Sequence, residues 1–147
     1  MKRLLAPILL TGLVACDGGT GVRGSGSAGT PGPGAPDPAE AARARGELLS
    51  FACQACHSLA AGGPHNVGPN LAGIFGRAAG TAPAFDNYSA ALREAGIVWS
   101  PAVLDRWLED PGGFLPGTTM AFTGYGSAAD RAALIAFLVA ATGPGAD

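Results

Sequence analysis

Cys53-Gln54-Ala55-Cys56-His57 is the stretch on which the reading of this chain turns. Two cysteines spaced C-x-x-C with a histidine directly after them form the attachment signature of a c-type haem. Each thiol adds across one vinyl group of the porphyrin, and the next residue offers an imidazole to the iron. A zinc site is the first competing reading, but it needs about four N/S ligands. The chain holds three cysteines and two histidines, and Cys16 stands far from the rest. A thioredoxin-like redox pair would sit at a helix start in a βαβ context, and no strand-rich pattern surrounds this segment. One covalent haem c is therefore the expected cofactor.

Working outward toward the N-terminus, Lys2 and Arg3 precede an apolar run from Leu4 to Val14. That run falls short of the ~20 residues a bilayer-spanning helix needs. It ends in Leu13-Val14-Ala15-Cys16, which is similar to a bacterial lipobox. Residues 1–15 are expected to be a lipoprotein signal peptide and Cys16 the acylated first residue of the mature chain. An ordinary secretory signal or an uncleaved anchor would also export the domain. Several acyl chains hold a protein firmly, since each buried CH₂ contributes about 0.8 kcal/mol and one chain alone is marginal. The expected location is the cell membrane, lipid-anchored and facing the periplasm. Asp17 follows the lipid cysteine, as in enteric lipoproteins retained on the inner membrane.

From Asp17 to Pro38 the composition is mostly Gly, Pro, Ser, Thr and Ala, with Val22 as the lone aliphatic residue. Such a segment buries no core and is expected to act as a disordered linker over residues 16–38. Its root-mean-square span would be roughly 25 Å. Residues 39–147 then suit one small domain. A core of this size is marginal by area alone, and a covalent apolar cofactor supplies the missing interior. Counted from Glu40, the domain carries six Arg, no Lys and nine Asp or Glu. A mildly acidic domain of this kind offers nothing to nucleic acid.

Within the domain, Asp37-Pro38 reads as the cap and first turn of a helix running to about Ala55, with Leu48, Leu49 and Ala52 on its packed face and Gly46 allowing close approach. Residues 58–87 are punctuated by Gly, Pro and Asn and read as loops. Tyr88 to Ala95 reads as a short helix stopped by Gly96. Ser100-Pro101 opens another helix, ended by Pro111. Residues 112–126 read as loop. Ser127 caps a last helix with Leu134, Ile135, Phe137 and Leu138 on its apolar stripe. The expected fold class is all-α: a small helical domain with long loops wrapped around one covalent haem.

The sixth position of a histidine-bound iron needs a second ligand. Met120 is the one methionine outside the leader, and it stands in the turn-rich stretch Phe114-Leu115-Pro116-Gly117-Thr118-Thr119-Met120 rather than on a helical stripe. His65, in Gly62-Gly63-Pro64-His65-Asn66, is the competing donor, and an open sixth position is the third possibility. Met/His ligation raises the potential, and a filled sixth position excludes O₂ and peroxide.

Taken together, these segments resemble class I cytochrome c of the mitochondrial and α-proteobacterial type. The resemblance runs from about Gly46 to Leu138. It is carried by the haem motif, Gly68-Pro69-Asn70-Leu71, Phe75-Gly76-Arg77, Phe85 with Tyr88-Ser89, Gly96-Ile97-Val98-Trp99, Trp107-Leu108-Glu109-Asp110-Pro111, Pro116-Gly117-Thr118-Thr119-Met120 and Leu134-Ile135-Ala136-Phe137-Leu138. It implies that the Pro69 carbonyl accepts from the second ring nitrogen of His57, and that Arg77, Tyr88, Trp99 and Thr118 hold the propionates. It further implies that Phe122 covers the haem edge, that Gly46 and Phe137 mark the crossing of the first and last helices, and that His65 bridges loops. Two departures stand out. Trp107 occupies the place of a tyrosine that hydrogen-bonds the ligand sulfur, and Thr119 replaces a lysine of the ring that steers docking in the family.

The resemblance implies a carrier rather than an enzyme. The expectation is a monomeric, membrane-tethered periplasmic cytochrome passing single electrons by outer-sphere transfer. Its expected donor is a bc₁-type complex, and its acceptor a cytochrome c oxidase or a photosynthetic reaction centre. A dedicated acceptor subunit of a periplasmic dehydrogenase is the alternative, and a haem peroxidase or gas sensor a more distant one.

Overall fold

The first helix begins where the sequence supplies a cap. Asp37 Oδ1 accepts the Ala39 N–H at 2.8 Å, and Pro38, which has no N–H to leave unpaired, takes the first helical position. The computed structural model describes residues 36–143. Cys16, the leader 1–15 and residues 17–35 of the linker lie outside the described residues. Among the described residues five helices run in order: α1 (Pro38–Gln54), α2 (Ala90–Glu94), α3 (Pro101–Glu109), α4 (Pro111–Phe114) and α5 (Ala128–Thr142). Among the described residues the extended pairing is one isolated antiparallel bridge, Ala78 with Val98. The all-helical expectation is met.

The helix starts follow one rule. Ser89, Ser100 and Ser127 each turn a side-chain oxygen onto the N–H three residues on, at Leu92, Val103 and Asp130. Asp110 ends α3 and caps α4, its Oδ1 accepting from Gly113 N–H at 3.0 Å. Helix α4 corrects the expectation of loop from residue 112 onward. Pro111 and two glycines read as breakers, yet proline fits a first helical turn and the aspartate cap stabilises it.

Helices α1 and α5 cross at Gly46. A Cβ there would lie against the Ala133 carbonyl and 2.8 Å from Phe137 Cβ, so only glycine admits this approach. The crossing decides which face of α1 is buried: Gly46, Leu49 and Ser50. Leu48, expected on that face, is 58% exposed, because at 100° per residue it lies a quarter-turn or more from the crossing. An exposed ion pair bridges the same two helices, with Arg45 Nε and Nη2 each 2.8 Å from an Asp130 oxygen.

The core gathers Leu104, Trp107 and Leu108 of α3 against Leu134, Ile135 and Leu138 of α5, with Leu49, Ile74 and Trp99. Leu134 is wholly buried, and each such leucine stabilises the fold by about 1.5–3 kcal/mol. Arg131 is buried as well. Its guanidinium meets Asp105 at 2.9 Å and donates to the carbonyls of Tyr125 and Gly126. The pairing ties α3, α5 and the preceding loop together, as a buried cation requires.

Candidate functional site

Helix α1 delivers the motif. Its last turn continues past Gln54: the N–H groups of Cys56 and His57 both donate to the Cys53 carbonyl, at 3.1 and 2.9 Å. The turn brings the thiols of Cys53 and Cys56 and the imidazole of His57 to one cavity wall. Both cysteines are free thiols, and burial pushes the Cys53 thiol above its ordinary pKa.

His57 Nδ1 lies 2.6 Å from the Pro69 carbonyl. A carbonyl only accepts, so Nδ1 carries the proton and Nε2 keeps its lone pair. Burial draws the ring's pKa below the usual histidine value, against the opposing pull of the Pro69 carbonyl. The neutral form is the one that binds a metal. Gly68 presses on the ring from the chain side: a Cβ there would meet Cε1 and come within 2.7 Å of Nδ1. Gly68 and Pro69 therefore hold the imidazole by contact and by hydrogen bond.

The cavity that His57 faces measures about 230 Å³ and has Met120 in its wall too. Every residue expected to hold the cofactor lines this space: Cys53, Cys56 and His57 with Pro69, then Arg77, Tyr88, Trp99, Thr118 and Met120. The loop bearing Met120 is shaped locally. Thr118 Oγ1 accepts from the Met120 N–H at 3.3 Å, and the Phe122 N–H returns to the Met120 carbonyl at 3.0 Å. Phe122 also lines the cavity and meets Tyr125 edge to face at 5.1 Å.

His65 is engaged elsewhere. Its Nδ1 accepts the Asn70 N–H at 2.9 Å, so Nε2 is the protonated nitrogen, and it donates to the Pro83 carbonyl at 2.8 Å. Both ring nitrogens are spent on backbone, and His65 is absent from the cavity wall. It bridges loops.

The polar corner of the cavity is partly committed. Arg77 donates to the carbonyls of Ala72 and Asn70 at 3.0 and 3.2 Å. The Tyr88 hydroxyl accepts from the Ala82 N–H at 3.2 Å, which leaves its own proton to give. Trp99 and Trp107 meet edge to face at 5.3 Å, and Trp107 meets Phe114 likewise at 6.0 Å. Trp107 is 4% exposed. Among the described residues its indole N–H makes no hydrogen bond to the Met120 sulfur, so it contributes here by packing.

Sequence reasoning assigned no role to three residues the structure makes prominent. Asn70 is a buried hub: Nδ2 donates to the carbonyls of Ala60 and Gly63, and Oδ1 accepts from the Ala72 N–H. Its signal was an asparagine placed directly after Gly-Pro in a turn-rich run. Tyr125, whose hydroxyl donates to the Leu49 carbonyl at 3.1 Å, and the buried Arg131 carry no local signal at all.

One imidazole with a free Nε2, one thioether and two thiols facing an apolar cavity form a donor set that fits a covalently attached haem. Among the described residues no group of three or more His, Cys, Asp or Glu is placed to hold a bare metal ion. Known proteins agree. The family model described as Cytochrome c matches residues 43–142. Cytochrome c of Chlamydomonas reinhardtii is 44% identical over 67% of this chain and 88% of its own length. Cytochrome c2 iso-2 of Magnetospirillum fulvum is 45% identical over 58% of this chain and 88% of its own. In structure, cytochrome cH from Methylobacterium extorquens superposes with a TM-score of 0.62 at 36% identity, covering 67% of this chain and 97% of that one. With motif, cavity and relatives in accord, the chain belongs to the cytochrome c family: one covalent haem c is its cofactor, and carrying electrons is its activity.

Proposed function

We propose that this cytochrome is a membrane-tethered, monomeric, periplasmic carrier of single electrons. Cys53 and Cys56 would hold the haem by thioether bonds, His57 Nε2 and the Met120 sulfur would ligate its iron, and Arg77, Tyr88, Trp99 and Thr118 would hold the propionates. Residues 1–15 are a signal peptide, Cys16 carries the lipid, and residues 16–38 link it to the domain over 39–147. The donor is a bc₁-type complex and the acceptor a cytochrome c oxidase or a photosynthetic reaction centre.

When bound, the haem supplies one-electron cycling of iron at a potential that methionine–histidine ligation raises. The chain's own residues keep the cycle small in amplitude. Pro69 and Gly68 hold the imidazole against rotation. Trp99, Trp107 and Phe122 pack apolar surface around the cavity, which limits water and the reorganisation that each change of charge entails.

The observation that carries the reading is the shared cavity of His57 and Met120, together with the double engagement of His65. The test is spectroscopic and cell-biological. Oxidised full-length holoprotein is expected to show the near-red absorption band of a methionine–iron bond, and the reduced form to ignore CO. Cys16→Ser is expected to release the haem protein from membranes into the soluble periplasmic fraction. A CO-reactive wild type would reject Met120 as ligand, and a Cys16→Ser protein still sedimenting with membranes would reject the lipid anchor.

A further inference from the structure

Helix α1 has a second apolar face that stays exposed among the described residues. Ala41, Ala44, Leu48, Phe51, Ala52 and Ala55 fall within an arc of about 100° when successive residues are set 100° apart. All six are exposed, with Leu48 at 58% and Phe51 at 60%. The face turned to α5 is a different one, through Gly46, Leu49 and Ser50. The outward arc runs directly to the cavity mouth, because Ala52 belongs to both.

The mouth is uncharged. Ala52, Val67, Thr119 and Ala121 line the cavity and are exposed. Of all the lining residues only Arg77 is an Arg, Lys, Asp or Glu, and its guanidinium is bound to the carbonyls of Ala72 and Asn70. The rest of the domain offers little positive charge to an acidic partner. Lys2 is the chain's one lysine. Arg45 and Arg131 are paired with carboxylates, and the arginines that keep an unpaired charge among the described residues, Arg43, Arg93 and Arg106, all stand outside the cavity wall.

We infer that the redox partner docks through an uncharged, apolar patch laid over the cavity mouth and the outer face of α1, with Leu48 and Phe51 as its anchors. This rests on the carrier reading. Outer-sphere transfer demands close approach to the haem edge, so a partner must cover the mouth. Whatever covers a neutral mouth continuous with two exposed apolar side chains gains from burying them rather than from long-range attraction. Lipid tethering raises local concentration, which replaces electrostatic steering.

The test follows re-oxidation of reduced full-length holoprotein by washed membranes of its native host, with ferricyanide as a small acceptor that needs no docking face. The wild-type rate is expected to change less than about twofold between low and physiological salt. The double variant Leu48→Gln, Phe51→Gln is expected to slow re-oxidation by membranes about tenfold, with its visible spectrum and its ferricyanide rate unchanged. Ala52→Lys is expected to slow it also. A rate that falls steeply with salt and rises in Ala52→Lys overturns the inference in favour of an acidic partner. A double variant that transfers at the wild-type rate but loses affinity for phosphatidylcholine–phosphatidylglycerol vesicles assigns the face to lipid. One that transfers normally but turns a dimer into a monomer assigns it to a second copy. Wild type oxidised by ferricyanide and never by membranes defeats the carrier reading itself, and this inference with it.

Discussion

On the histidine side of the cavity, residues 56–72 are laced by directed bonds. The Gly68 N–H reaches the Cys56 carbonyl and the Leu71 N–H the Ser58 carbonyl, each at 2.8 Å. Asn70 spans the same loop with three more bonds, and Pro69 fixes the imidazole. On the methionine side, residues 115–122 make short-range turns, such as Thr118 N–H to the Leu115 carbonyl at 3.1 Å, and long-range bonds return only at Tyr125 and Gly126, which meet Leu49, Leu108 and Arg131. Much of their support is aromatic packing through Trp107, Phe114, Phe122 and Tyr125. Directed bonds set an angle, whereas packing sets only a volume. The histidine is thereby positioned before any metal arrives. The methionine is held in a shaped space whose walls can give.

The largest effect should separate the two ligands. His57→Ala is expected to abolish most covalent haem incorporation. Met120→Ala is expected to keep it, while opening the sixth position to CO and lowering the potential by a sizeable part of the ~0.8 V span that axial ligation commands. Haem staining of denaturing gels and a CO difference spectrum read both outcomes. Equal haem content in the two variants would dissolve the contrast between the walls.

Next in size, Trp107→Ala should cost about 3–5 kcal/mol of stability, as the loss of a large buried aromatic does. It should also weaken the near-red band, because the methionine wall loses its packing. Chemical denaturation of the oxidised holoprotein measures the first effect and its spectrum the second. A destabilised protein with an undiminished band would mean that the methionine is held by something other than packing.

Asn70→Ala probes the opposite wall. Removing its side chain deprives two carbonyls and one N–H of partners, for a loss of about 3 kcal/mol. Here the near-red band should persist at temperatures below unfolding, because the methionine side is untouched. Loss of the band without loss of stability would show that the hub serves the distal loop after all.

The smallest effect concerns the surface pair of Arg45 and Asp130. The hydrogen bond from Arg45 holds the Asp130 carboxyl below the ordinary aspartate value. A depressed folded pKa contributes stability that is present above the unfolded value of about 3.9 and is lost as pH falls through the folded one. Arg45→Gln should therefore lower Tm slightly at neutral pH and not at all once the carboxylate is protonated in both states. Salt should shrink the difference as well, since the pair lies at the surface, with Arg45 exposed and Asp130 partly so. A Tm difference that persisted in strong acid would assign Arg45 a packing role instead.

Local chemistry made much of this legible. The thiol and imidazole spacing dictates a covalent haem because the reaction needs those groups in that order. The serine and aspartate caps dictate helix starts because unpaired N–H groups need acceptors there. Even the division of labour between Met120 and His65 could be weighed from their surroundings in the chain. The places where local reading failed are informative. Pro111-Gly112-Gly113 hid α4, since its cap comes from Asp110, which also ends α3. Leu48 looked like a core residue until the crossing at Gly46 turned it outward.

What the amino-acid order determined by itself is therefore the cofactor, its two covalent bonds, the candidate ligands and the all-helical class, each set by groups a few residues apart. Tertiary structure alone decided that Asn70 and Arg131 are buried hubs and which side of α1 faces out, and it named the atoms and partners behind the roles that the resemblance implied for His57 and His65. Those outcomes depend on partners distant in the chain, and no local pattern encodes a contact made only when remote segments pack.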